Sequence, residues 1–206
     1  MHYYNKPTAP IKLIYFFLVL ISIIISIAIS YYLKHLSAND FKGYLILIFA
    51  GTPWTIYGVL FWLFDRILWK VCLVNNLIKV PNLEGEYNGK LKSSYDNFKK
   101  AKSISIIIKQ KFSKMIVIFK TETSESKSLN ALLKKEEDKV LLIYNYQNEP
   151  NAVEEITLNE HKGTAWIKFD LDSSHFEGKY YTDKRPIEST KAVCNYGRIE
   201  GLKNSV

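Results

Sequence analysis

The chain has 206 residues, 48% of them hydrophobic, and a formal net charge of +8, a length that allows one medium domain plus additional elements. Residues 79–206 hold 22 Lys plus Arg against 18 Asp plus Glu, a surplus of +4, which is too mild to support a DNA- or RNA-binding face. Cys72 and Cys194 form no C-x-x-C and His2, His35, His161 and His175 are scattered, so no metal centre is expected and both thiols are free in a reducing compartment.

Residues 1–12 form a short N-terminus. Leu13 to Leu33 (LIYFFLVLISIIISIAISYYL) then run without a charge, long enough at about 1.5 Å per residue to cross a hydrocarbon core of about 30 Å. The run is too long for a signal-peptide core, and no A-x-A-like cleavage site follows it. A second uncharged run, Tyr44 to Phe64, makes a transmembrane hairpin with the first. Lys6, Lys12, Arg66, Lys70 and Lys79 flank the outer ends, against Lys34 and Lys42 in the loop, which places both termini in the cytoplasm. Ser22, Ser26 and Ser30 share one helix face, and Gly51, Thr55 and Gly58 share a comparable one. Such small-residue stripes pack helices closely, within the hairpin or between subunits. Pro53 removes a backbone donor and predicts a kink. Residues 65–80 read as an interfacial connector that stops before Pro81.

From Leu83 the period becomes two: Leu83, Gly85, Tyr87, Gly89 and Leu91 alternate with charged or polar residues. Further strands are predicted over Ser103 to Gln110, Met115 to Thr123, Ser124 to Leu133, Val140 to Tyr146, Thr164 to Leu171, Phe176 to Thr182 and Lys191 to Ile199, with Leu129 to Asp138 alternatively helical. The expected fold is a two-helix transmembrane hairpin followed by an all-β domain over residues 81–206, a small antiparallel eight-stranded β-barrel.

Facing then singles out polar residues where a core should be apolar. Gln110 is in phase with Ile104, Ile106 and Ile108. Ser126, Ser128 and Asn130 oppose the outward Glu125 and Lys127. Tyr144 and Tyr146 follow Leu142, His161 continues the Ala165 face, and Tyr180 and Thr182 continue from Phe176. In the last strand, Ala192, Cys194, Tyr196 and Arg198 share one face, and Val193, Asn195, Gly197 and Ile199 share the other. Either face satisfies the pattern. Such a set is a self-satisfied network, a wet strand end, or a barrel mouth for a polar, ring-bearing ligand. There is no G-x-S-x-G, P-loop, H-E-x-x-H or G-x-G-x-x-G, so no enzymatic activity is expected.

The phrases VPNLEGEYNGKLKSS, IIIKQKFSKMIV, SESKSLNALL, LIYNYQNEP, HKGT and FEGKYYTDKR, following two apolar spans, resemble the two-transmembrane, β-strand-rich effectors associated with CD-NTase cyclases of bacterial CBASS antiphage systems. Tyr87 and Phe112 stand where that family more often has Trp, and the last strand, KAVCNYGRIE, departs from it. The resemblance implies that the barrel binds a cyclic nucleotide, a cyclic dinucleotide in the first instance, made by a partner CD-NTase cyclase. The effector then forms a homo-oligomer and disrupts the inner-membrane lipid, killing the infected cell. On that reading Tyr144, Tyr146 and Tyr180 meet base or ribose, and Gln110, Ser126, Ser128, Asn130 and Thr182 meet polar edges. His161, Arg185 and Arg198 meet the phosphodiesters. No cofactor is implied beyond this activating ligand. Two other readings fit an all-β domain on a membrane anchor: a lipocalin-like carrier of a small apolar ligand, and an adaptor that binds a protein partner through an edge strand.

Overall fold

The computed structural model describes residues 1–6, 10–36, 52–122, 124–150, 161–170, 175–184 and 193–204. The chain divides into two compact units, Met1–Pro7 together with Val80–Val206, and Thr8–Lys79.

In the helical unit, α1 spans Ile11–Leu36 and α2 spans Pro53–Arg66. The stretch Ile11–Tyr32 is long and apolar enough to cross a membrane. The predicted second span lies partly outside the described residues, as does Gly51, and the 14 residues of α2 alone reach about 21 Å. Pro53 occupies the first turn of α2, where its missing N–H has no intrahelical role, so it begins the described helix and kinks nothing within it. Tyr15 of α1 meets Phe61 of α2 edge-on at 6.0 Å. Ile14, Leu18, Ser22 and Ser26 form a buried stripe four residues apart, while Ser30 is exposed. Ser22 and Ser26 of the serine stripe are thus buried, and only Ser30 is left at the surface. Thr55 donates back to Thr52 O (2.8 Å), and nothing lies within 4 Å of a Cβ placed on Gly58. The connector is a short 3-10 turn, Leu68–Lys70, followed by α3, Cys72–Ile78, which ends in a left-handed Lys79 (φ 53°) just ahead of Pro81.

The β unit has nine strands among the described residues: β1 His2–Asn5, β2 Gly85–Ser93, β3 Ala101–Gln110, β4 Lys114–Lys120, β5 Ser124–Glu136, β6 Lys139–Pro150, β7 His161–Asp170, β8 His175–Lys184 and β9 Val193–Lys203. They pair in the order β1-β4-β3-β2-β9-β8-β7-β6-β5, with β5 pairing β1 to close the barrel and an additional β4–β5 pairing near their turn. Strands β2 to β9 correspond to the eight expected from sequence. The Leu129 to Asp138 segment is strand up to Glu136, and Glu137 turns the hairpin with φ 50°. Strand β1 is additional to these: residues 2–5, expected to be part of a short N-terminus, lie in the barrel wall.

The reason for β1 lies in the β4–β5 hairpin. Those strands pair only near their turn, through Ile118↔Lys127, Phe119↔Ser126 and Lys120↔Glu125, and then diverge. In the gap, β1 runs antiparallel to β4 (His2↔Met115, Tyr3↔Lys114) and parallel to β5 (Tyr4↔Ala131, Asn5↔Leu132). A strand there satisfies edge N–H and C=O groups that would otherwise need water.

The interior is apolar toward the end where β2 begins. Tyr87 meets Phe169 (4.9 Å) and Phe176 (5.8 Å) edge-on, and Ile106, Ile108, Val117, Leu133, Leu142 and Ile167 fill the space around them. The Tyr87 hydroxyl is satisfied by donating to Leu83 O at 2.8 Å.

Candidate functional site

The opposite end of the barrel, near the start of β5 and the finish of β6, is polar. The pairing register places Ser126 across from Asn148 and Asn148 across from His161. Ser128 stands opposite Tyr146, Tyr146 opposite Gly163, and Gly163 opposite Thr182. Ser126 Oγ donates to Asn148 Oδ1 at 2.7 Å. The Asn148 residue is 2% exposed, and its Nδ2 is a buried donor with no acceptor. Thr182 Oγ1, beside the Tyr146 hydroxyl, is likewise buried without a well-formed hydrogen bond. An unmet buried polar group costs about 1–3 kcal/mol, so this end of the barrel carries polar groups that its own wall does not fully satisfy.

Aromatic rings line the same end because glycines make room for them. A Cβ on Gly163 would collide with the Tyr146 ring and hydroxyl, and one on Gly197 would collide with the Tyr180 ring. Both tyrosines therefore lie against bare backbone of the neighbouring strand. Tyr146 donates to Tyr181 O (3.3 Å) and sits 6.2 Å from Tyr144. Burial pushes the Tyr144 and Tyr146 phenols far above their ordinary range, so both remain neutral. Tyr180 is also raised, chiefly by burial, with Ser93 hydrogen-bonded to it and the Asp96 carboxylate close by. Asp96 Oδ1 is buried and without a partner, adding an acceptor to the two orphan groups.

The residues expected from sequence divide accordingly. Ser126, Tyr144, Tyr146, Tyr180 and Thr182 face the interior at this end as predicted. His161 opens β7 opposite Asn148, and Arg185 lies outside the described residues. Gln110 is inward and 1% exposed, but it sits at the other end and its amide is fully engaged. Its Oε1 accepts from Leu83 N (2.8 Å), and its Nε2 donates to Pro81 O (3.0 Å) and Tyr4 Oη (3.1 Å). Ser128 is buried at the β4–β5 fork, where its hydroxyl accepts from Val117 N (2.9 Å) and bonds His2 Nε2 (2.7 Å).

Two expectations are corrected. Asn130 points outward and accepts from Asn145 N (3.3 Å), because the register shifts between Ser128 and Asn130 and a bulge at Leu129 reverses the facing of β5 beyond it. Arg198 also points outward. Gly197, Ile199 and Gly201 hold the inward phase of β9, since only glycine fits beside Tyr180 at 197 and beside Phe176 at 201.

Asn148 was missed because the fifth predicted strand stopped at Tyr146. Continuing its two-residue phase by one step, from Tyr144 and Tyr146, reaches it. Among the described residues no cluster of His, Cys, Asp and Glu could hold a metal ion.

A buried polar mouth with neutral, glycine-backed tyrosines has the chemistry of a site for a small polar ligand with rings. Residues 78–195 match the family model for "Cap15, cyclic dinucleotide receptor domain", and the chain belongs to that family, the CBASS-associated group it resembles in sequence. It is 32% identical over 191 residues to the CD-NTase-associated protein 15 of Yersinia aleksiciae, covering 89% of this chain and 86% of that protein. It is 27% identical over 119 residues to the protein of the same name from Staphylococcus schleiferi, covering 58% of this chain and 64% of that one.

Proposed function

We propose that the protein is a membrane-anchored CBASS effector whose barrel binds a cyclic dinucleotide made by a partner CD-NTase cyclase. Binding drives homo-oligomerisation and disruption of the inner membrane, and the infected cell dies. The observation that carries this reading is the buried Asn148 Nδ2 at the polar end of the barrel, with Asp96 Oδ1 also unmet, Thr182 against the Tyr146 hydroxyl, and the Tyr146 and Tyr180 rings beside them. A nucleobase offers ring faces for Tyr and acceptor atoms for Asn148, and an exocyclic amine or ribose hydroxyl suits Asp96. His161 and Arg185 are the cations we assign to the phosphodiesters.

The anchor is a two-pass hairpin with both termini in the cytoplasm. Strand β1 supports this: residues 2–5 pair with β4 and β5, so they lie on the same side of the membrane as the barrel. The chain between them crosses an even number of times. With α1 as one crossing, the second uncharged run, Tyr44 to Phe64, is the segment we assign to the other.

The filled apolar half of the barrel leaves little room for the lipocalin-like carrier. The deciding experiment is thermal unfolding of the full chain in detergent with a panel of cyclic dinucleotides. A ligand at a hundred times its Kd adds about 2.7 kcal/mol to the folded state. One member should raise the melting temperature while fatty acid does not, and an unchanged melting temperature across the saturating panel overturns the reading.

A further inference from the structure

The cleft between β4 and β5 is a strand-docking surface, and its occupant is the chain's own N-terminal segment, which continues within a few residues into α1. The seat is slight. Strand β1 has four residues, with two Cα partners on either side, and Tyr3 is 74% exposed. Tyr4 is the buried anchor, its hydroxyl accepting from Gln110 Nε2 and donating to Lys111 O (3.3 Å). Elements held this lightly are the ones that open first.

The cleft also has a second way to close. Below Ile118↔Lys127 the edges of β4 and β5 face the slot, and at the fork the Val117 N–H is taken by the Ser128 side chain rather than by β5 backbone. If β1 leaves, the two strands can continue their own ladder into the slot, recovering backbone bonds and giving a barrel of β2 to β9 alone. The same edges thus have two alternative partners, which is the bistable element a switch requires.

The polar end of the barrel lies next to this fork. Ser126 and Ser128 share one face of β5, two residues apart. Ser126 holds Asn148, and Ser128 holds His2 and stands opposite Tyr146. A molecule that draws on Asn148 and Tyr146 therefore acts on the stretch of β5 that forms one wall of the slot. We propose that His2–Asn5 is a releasable strap, that the barrel alternates between a strapped nine-stranded closure and a zipped eight-stranded one, and that occupation of the polar end favours the zipped form, freeing the N-terminal segment from the barrel wall. The coupling to a nucleotide rests on the function proposed above; the two closures do not.

The test is hydrogen exchange on the full chain in lipid nanodiscs, with 3′,3′-linked cyclic dinucleotides of adenine, guanine and uracil as probes. With a bound dinucleotide, exchange at residues 2–5 should rise at least about tenfold, while residues 115–117 and 128–130 stay protected. Unchanged exchange at residues 2–5 while Tyr146 and Asn148 gain protection overturns the coupling. If no dinucleotide protects any barrel residue, the nucleotide reading fails, and the strap is decided by Ser128→Ala without ligand. Faster exchange at residues 2–5 with continued protection of 115–117 supports two closures. Joint loss of protection at both, or no change at either, overturns them.

Discussion

The Ser126 hydroxyl donates to Asn148 Oδ1 across 2.7 Å, and this bond turns the Asn148 amide so that Nδ2 is buried with nothing to accept from it. A side chain kept in that condition costs stability, which a site proposed to bind a ligand can bear. Replacing both residues, Ser126→Ala with Asn148→Leu, removes the unmet donor and leaves neither partner orphaned. The melting temperature without ligand should rise by about 2–4 °C per kcal/mol gained, and the shift caused by a cyclic dinucleotide should vanish. A lower melting temperature without ligand would mean that the pair is held for packing.

Glycine at 163 is required by the Tyr146 ring and by Tyr181 O, both of which a Cβ would strike. Gly163→Ala should cost about 1–3 kcal/mol of overpacking in urea unfolding and should abolish the dinucleotide shift. Adding Tyr146→Leu relieves the ring contact and should recover part of the stability but none of the binding.

Gln110 holds three groups at once: Leu83 N, Pro81 O and the Tyr4 hydroxyl. Gln110→Ala leaves buried polar atoms unpaired where the chain enters β2 and beside β1. We expect a loss of about 3 kcal/mol in urea unfolding of the full chain. Ligand affinity, measured while the variant is folded, should change far less than in the Asn148 variant, because Gln110 is at the other end of the barrel.

Alkaline pH should destabilise the barrel. Burial is the first cause of the raised phenols of Tyr87, Tyr144, Tyr146 and Tyr180, whereas unfolded tyrosine ionises near about pH 10. The folded state holds these protons more tightly than the unfolded one. Their stabilisation is therefore complete below about pH 10 and is lost as pH rises from there through the raised folded values. The urea midpoint should fall above about pH 10, and Tyr144→Phe should make the fall shallower. An equal fall in that variant would assign the effect elsewhere.

Most of the wall was legible because alternation is local. Leu83 to Leu91 and Ile104 to Ile108 declare their inward faces in a few residues. The errors lie where facing depends on a distant strand. Asn130 failed because the bulge at Leu129 arises from pairing with β6, and a single extra residue inverts everything after it. Arg198 failed because two faces of β9 look alike in composition. The difference is that Gly197 and Gly201 meet the rings of Tyr180 and Phe176, which is a matter of space. Gln110 shows the opposite limit: its burial was readable, but its partners come from residues 4, 81 and 83, so its role was not. Strand β1 has four residues and no repeat, too little for any periodic signal.

The position of β1 also bears on how the protein is made. His2–Asn5 are translated before α1 and α2, whereas their partners, Lys114 and Met115 on one side and Ala131 and Leu132 on the other, come only after those helices. Residues 2–5 must wait until the β4–β5 hairpin exists, and pairings this distant in sequence form slowly. A newborn chain thus passes through a period in which its helices are complete and its barrel lacks one stave. For a protein proposed to kill its own cell, that interval is when premature assembly would be most dangerous.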